Sequence, residues 1–198
     1  MAGFLQNKCT FRLLTEEILN SCEPFSCGND DLDSFFKDDA LLYARNLLGK
    51  TYCYLLDEDP RKMVCAFTVS NDSVRVDNLP NSRKKKVNEA IPRAKQMRRY
   101  PAVLIGRLGV NEEFAHKGVG TEVIDILKMW FTEIDNKTGC RYLAVDAYND
   151  KQVLEFYCDK NGFKMMFSTE EQESENSKQP LPLQTRYLYY DLIEYANS

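Results

Sequence analysis

Phe114-Ala115-His116-Lys117-Gly118-Val119-Gly120 lies between a β-like run, Pro101 to Val110, and a helix-like run, Thr121 to Asp135. Two glycines two apart allow a chain leaving a strand to turn tightly into a helix. Backbone N–H groups then face inward around a phosphate, and the helix N-terminus adds partial positive charge. The stretch predicts strand, phosphate-holding loop and helix, with a phosphorylated ligand. Alone, such a loop serves a nucleotide as readily as another phosphate ester, so its surroundings carry the decision.

Working outward, the chain alternates strands and helices. On the C-terminal side of the loop, Val123, Ile124, Ile126, Leu127, Trp130, Phe131 and Ile134 form a wide apolar stripe, as on a helix covering a sheet. Tyr142 to Tyr148 reads as a strand, Lys151 to Lys160 as a short helix ended by Asn161-Gly162, and Phe163 to Phe167 and Thr185 to Leu192 as the last strands. On the N-terminal side, Cys9 to Leu14 is a strand, and Asn29 or Asp30 caps a helix from about Asp31 to Asn46. Thr51 to Leu56 and Lys62 to Ser70 are β-rich runs joined by a turn through Pro60, which predicts an antiparallel pair. Pro80 to Gln96 is expected to be helical with a break near Pro92. The order predicts an α/β fold with a mixed, mostly antiparallel sheet of about seven strands and about four flanking helices.

With 198 residues, 43% hydrophobic and 28% charged, the chain suits one globular domain over residues 1–198. No basic segment followed by an apolar run opens it, and no stretch nears the roughly 18 to 20 apolar residues of a membrane span. A cytoplasmic protein without a membrane partner is expected. Seven cysteines, an odd number, are scattered without zinc-ligand spacing, so reduced thiols and no metal are expected. His116 is the only histidine. A Ser-His or Cys-His pair would have to use this loop residue, and a multi-histidine metal site is excluded.

The net charge of −4 conceals an asymmetry. Arg83, Lys84, Lys85, Lys86, Arg93, Lys95, Arg98 and Arg99 face only Glu89 between positions 83 and 99. This basic insert, about residues 80–100, is either a solvated helix or a contact for nucleic acid. Ser168 to Gln179, polar and acidic, is expected to be a solvated loop.

The strand, glycine loop and helix, followed by Val145-Asp146-Ala147-Tyr148-Asn149 and by Phe156-Tyr157-Cys158-Asp159-Lys160-Asn161-Gly162-Phe163, resemble the GCN5-related N-acetyltransferases (GNAT). In that family the loop reads Gln or Arg, two residues, Gly, one residue, then Gly or Ala; here Ala115 takes the first position. Phe25-Ser26-Cys27-Gly28, Leu32-Asp33, Phe35 and Ile105-Gly106-Arg107-Leu108-Gly109-Val110 further resemble the acetyltransferase toxins of toxin-antitoxin modules, several of which acetylate aminoacyl-tRNA. This likeness covers nearly the whole chain. Those toxins are generally basic, as phosphate neutralisation demands, whereas this chain has a pI near 5.2.

The resemblance implies the GNAT fold, acetyl-CoA as cosubstrate and a primary amine as acceptor. Backbone groups of Leu108 and Val110 would bond the pantetheine arm as an added strand does. Backbone groups of Ala115, His116, Lys117, Gly118, Val119, Gly120 and Thr121 would surround the pyrophosphate, with Lys117 adding charge and Asn149 bonding the pantetheine. Tyr157 matches the tyrosine that donates a proton to the CoA thiolate. Asp146, Glu112 and Glu113 are available as bases, as is a water chain. Arg107 either enters the acceptor cleft or pairs with a buried carboxylate. The acceptor is either aminoacyl-tRNA, held through the basic insert, or a small-molecule or protein amine. An antitoxin is an implied partner, and the chain is expected to be a monomer or homodimer. The alternative is a CoA-binding interaction module with little turnover.

Overall fold

In the computed structural model, which describes residues 3–77, 79–89, 91–92 and 96–197, the strands hydrogen-bond in the order β1-β2-β3-β4-β5-β7-β6. They are β1 Cys9–Leu13, β2 Lys50–Leu56, β3 Met63–Arg75, β4 Arg99–Val110, β5 Tyr142–Tyr148, β6 Lys164–Met165 and β7 Thr185–Asp191. The expected mixed, mostly antiparallel sheet of seven strands is present. The residues group into two units, 1–70 with 105–127 and 71–104 with 128–198.

In the first unit β2 pairs antiparallel with both β1 and the start of β3, with a bulge at Tyr54/Leu55. The Asp59-Pro60-Arg61 turn closes through Lys62 N–H donating to Asp59 O. Asn29 accepts the Leu32 N–H and so caps α3, Asp30–Ser34. The helix continues through a π-turn, Phe35–Asp39, into α4, Ala40–Arg45. Phe35, Phe36 and Ala40 from this segment pack with Leu14, Cys53, Met63 and Ala66. Gly109 of β4 allows a close approach, because a Cβ there would lie 3.0 Å from a Phe36 ring carbon. After the glycine loop, α6 spans Val119–Thr132, with Val123, Ile124 and Leu127 fully buried.

In the second unit β5 pairs parallel with β4 through Ala102↔Tyr142, Val103↔Leu143 and Leu104↔Ala144, and antiparallel with β7 along its whole length. Tyr142, Leu143 and Ala144 are fully buried. A strand covered on both faces needs such a continuous apolar run. Val74, Val76, Leu79, Val87, Tyr100, Tyr142, Met166 and Tyr189 build the core here. It lies against α5, Asn81–Glu89, whose buried residue is Val87.

Several expectations are corrected. The acidic segment is not a loop: Glu170–Ser177 forms a helix, labelled α8 below. Its capping residue Thr169 accepts the Gln172 N–H, and its Glu173 carboxylate is buried against Arg186 and the Tyr187 N–H. Polar anchors replace the apolar stripe on which periodicity depends. The strand expected over Phe163 to Phe167 shrinks to β6, since Met166 and Phe167 turn into the core. Strand β3 continues past Ser70 to Arg75. Ile134 lies beyond the end of α6 and is fully exposed. Within the expected helix over Pro80 to Gln96, α5 spans Asn81–Glu89; Ala90, Arg93, Ala94 and Lys95 lie outside the described residues. Short helices at Phe4–Lys8, Glu16–Ser21 and Leu192–Ala196 have no periodic signature, being too brief to show one.

Candidate active site

The first unit holds the loop. Strand β4 ends at Val110, Glu112–Phe114 makes one 3-10 turn, and Ala115 N–H closes it on Glu112 O. His116 and Gly118 then adopt left-handed backbone, φ 59° and 85°, which reverse the chain into α6. A Cβ at Gly118 would meet nothing within 4 Å, so the glycine answers a conformational demand and leaves open space there. The first bond of α6 is Glu122 N–H to Gly118 O. Helix geometry gives Val119, Gly120 and Thr121 N–H no acceptor within the helix, and the macrodipole places positive charge beside them. Those donors and the open space suit a pyrophosphate.

Lys117 is less available than expected. Its Nζ donates to Glu113 O at 2.7 Å and lies 5.6 Å from the Phe114 ring centre. Leu108 and Val110 are half-buried on β4. The sequence did not signal the support behind the loop, which is Glu122. Its carboxylate accepts the N–H groups of Phe4 and Leu5 at 2.9 and 2.8 Å. This ties the turn that opens α6 to the helix Phe4–Lys8.

Two of the carboxylates offered as bases are engaged. Glu113 pairs with Lys62 at 2.7 Å, and Glu112 accepts the Ser26 hydroxyl at 3.0 Å. Both line a cavity of about 200 Å³ with Glu23, Ser26, Lys62 and Asn111. Asp146 is exposed on β5. Among the described residues no carboxylate pairs with Arg107; its guanidinium lies over the Phe35 ring, 5.0 Å from the centre.

The second unit holds the other two predicted residues. Asn149 follows β5; its N–H donates to Gln184 O and its Nδ2 to Leu183 O, fixing the side-chain amide. Asp150 caps Lys151–Glu155 by accepting the Gln152 and Val153 N–H groups. That helix runs into a second π-turn, Phe156–Lys160, and Tyr157 sits inside it. Asn161 Nδ2 donates to Phe156 O, Phe163 N–H to Tyr157 O, and Gly162 turns out at φ 75°. The Tyr157 ring is held edge-on between Phe156 and Phe163, at 4.9 and 5.3 Å between centres. Burial pushes its phenol well above the usual range, so it stays protonated at any physiological pH. It keeps a proton to give, and burial also makes it a weaker acid than a free phenol. π-turns of this kind recur at functional sites, and no periodicity announces them.

The structure thus gathers Leu108, Val110, Ala115, His116, Lys117, Gly118, Val119, Gly120 and Thr121 in one unit and Asn149 and Tyr157 in the other. All seven cysteines are free thiols. Among the described residues there is no cluster of His, Cys, Asp or Glu fit to hold a metal, and no helix long and apolar enough to cross a membrane.

No family model matches the sequence. Solved structures do resemble it. A tyrosine-to-phenylalanine mutant of KacT superposes with a TM-score of 0.70 at 18% identity, over 96% of this chain and 99% of that one. AtaT complexed with acetyl-methionyl-tRNAfMet gives 0.69 at 18% identity, over 96% and 99%. AtaTR bound with acetyl-CoA gives 0.66 at 17% identity, over 97% and 99%. These likenesses extend over nearly the full length and establish the fold.

Proposed function

We propose that this chain, which has the GNAT fold, is an acetyl-CoA-dependent N-acetyltransferase whose acceptor is the α-amino group of an aminoacyl-tRNA. The observation that carries the reading is the left-handed turn at Gly118, which presents the first N–H groups of α6 beside open space directly after β4. A similar structure contains acetyl-CoA and another an acetylated aminoacyl-tRNA, which supports both substrates.

In this reading the N–H groups of Val119, Gly120 and Thr121 hold the pyrophosphate, and the backbone of Leu108 and Val110 aligns the pantetheine. Asn149 offers its amide to the same arm. The acceptor nitrogen attacks the thioester carbonyl carbon, a C–N bond forms and the C–S bond breaks. Tyr157 gives its phenolic proton to the departing thiolate, and the surplus amine proton leaves to water. Lys84, Lys85 and Lys86, exposed on α5, contribute positive charge toward RNA phosphates. Antitoxin AtaR binds toxin AtaT in another similar structure, which supports a protein antitoxin as partner here.

The test is thiol release from acetyl-CoA with aminoacyl-tRNAs, small amines and peptides. Release with charged tRNA and loss of it in Tyr157→Phe are expected. Tight CoA binding without release from any acceptor would instead indicate a CoA-binding module.

A further inference from the structure

Arg107 is half-buried on the sheet, and among the described residues no carboxylate pairs with it. It lies inside β4, its Nη1 donating to the Gly106 carbonyl at 2.8 Å and its guanidinium resting on Phe35. Its Nε is buried and has no acceptor among the described residues. Partly burying a charge with no counter-charge is unfavourable. An apolar side chain of similar length would cover Phe35 without that penalty, so some other requirement keeps a guanidinium here.

The surroundings indicate the requirement. Alternate residues of a strand share a face, so Arg107 projects on the side of Gly109, where Phe25, Cys27 and Phe36 approach. Phe35 is the first residue of the π-turn in the α3–α4 segment. With Nη1 on the Gly106 carbonyl and the guanidinium over the Phe35 ring, the remaining donors point in a fixed direction, suited to an oxygen of a carboxylate or phosphate. The next residue along the strand is Leu108, assigned above to the pantetheine.

We infer that Arg107 recognises an anionic group of the acceptor, so that the enzyme selects amines carrying a phosphate or carboxylate near the nucleophile. This rests on the acetyltransferase reading and specifies its substrate class. An RNA 3′-end supplies the phosphate, and a free amino acid or peptide terminus supplies the carboxylate.

The experiment compares wild type, Arg107→Lys, Arg107→Gln and Arg107→Met on two acceptor pairs at saturating acetyl-CoA. One pair is methionine and methionine amide; the other is 3′-O-methionyl-adenosine with and without a 5′-phosphate. Arg107→Gln is expected to raise KM about 10-fold or more for the anionic member of one pair, the size of a lost charged hydrogen bond. The neutral member should change by less than about 3-fold, and Arg107→Lys should recover part of the loss. The pair that responds tells phosphate from carboxylate. Equal effects on both members of each pair would overturn the proposal. Arg107→Met should keep or raise Tm, because it removes an unpaired charge; a large fall would mark a structural role and also overturn it. If wild type acetylates nothing, the acetyltransferase reading fails, and 5′-AMP is titrated at saturating CoA. A rise in Tm for wild type that is absent in Arg107→Gln then supports the anion site, and identical behaviour of the two proteins refutes it.

Discussion

Glu173 and Arg186 form a buried ion pair, Oε2 to Nε at 2.6 Å, with side chains 7% and 10% exposed. Glu173 Oε1 also accepts the Tyr187 N–H. One carboxylate therefore fixes the polar helix α8 to strand β7. Glu170 adds a bond from the Leu183 N–H at 2.6 Å.

Removing one partner strands the other charge in a dry site, which typically costs about 3–5 kcal/mol. Glu173→Ala is expected to lose that much by urea denaturation, and Glu170→Ala about 1–2 kcal/mol. Similar small losses for both would mean that α8 is held by something other than its carboxylates.

Gly118→Ala isolates backbone conformation, because the added methyl group meets nothing. At φ 85° an L-residue costs about 1–2 kcal/mol. The chain either bears that strain or relaxes the turn, and relaxation swings the first N–H groups of α6 away. Weaker CoA binding by calorimetry is expected, with Gly118→Asn less affected than Gly118→Ala.

Tyr157→Phe keeps the edge-on ring packing and removes only the hydroxyl group. A fall in kcat of about 100-fold or more is expected, with KM for acetyl-CoA within about 2-fold, since no other binding contact is assigned to the hydroxyl. Because burial raises this phenol, the alkaline limb of the rate profile should lie above the ordinary phenol value of about 10. A limb well below that value would point to a different acid.

Stability should fall in alkali. Burial pushes Tyr54 and Cys53 up to about 12, and Tyr142, Tyr157 and Tyr187 higher still. A raised folded value means that the native state holds its proton longer than the unfolded chain. The stabilisation is complete below the unfolded values, about 8.5 for thiols and 10 for phenols, and declines as pH rises through the folded ones. Denaturation midpoints should be flat from about pH 7 to 8 and drop steeply from about pH 9 to 11. A flat profile through about pH 11 would contradict the burial of these groups.

Lys84, Lys85 and Lys86 are exposed, and Arg83 Nε is drawn to Ser168 Oγ at 2.9 Å. Replacing the three lysines with glutamine should lower tRNA affinity and reduce the salt slope by about 2 to 3 if each neutralises one phosphate. An unchanged slope would remove α5 from the RNA contact.

Local signals in the chain found their elements. Asn29 marked a helix start and caps one; Asn161-Gly162 marked a helix end and closes one. The run Tyr142 to Tyr148 announced a strand, and its first four residues are buried. The glycine loop announced a tight turn, which the structure makes with left-handed His116 and Gly118. Each depends on residues within about four positions, the range over which torsional preference and capping act. Helix α8 escaped because its partner, Arg186, lies beyond that range.

The order of the main strands and helices and the tight loop were therefore set by near neighbours in the chain, whereas the role given to Tyr157 came from the family resemblance. What folding alone decided was which charges keep a partner. Glu173 gained one in Arg186, Glu113 gained Lys62, and Arg107 was left with an aromatic ring and a backbone carbonyl. Folding also placed Tyr157 in a π-turn where burial holds its proton. Desolvation and pairing depend on residues far apart in sequence, so they become defined only once the chain has packed.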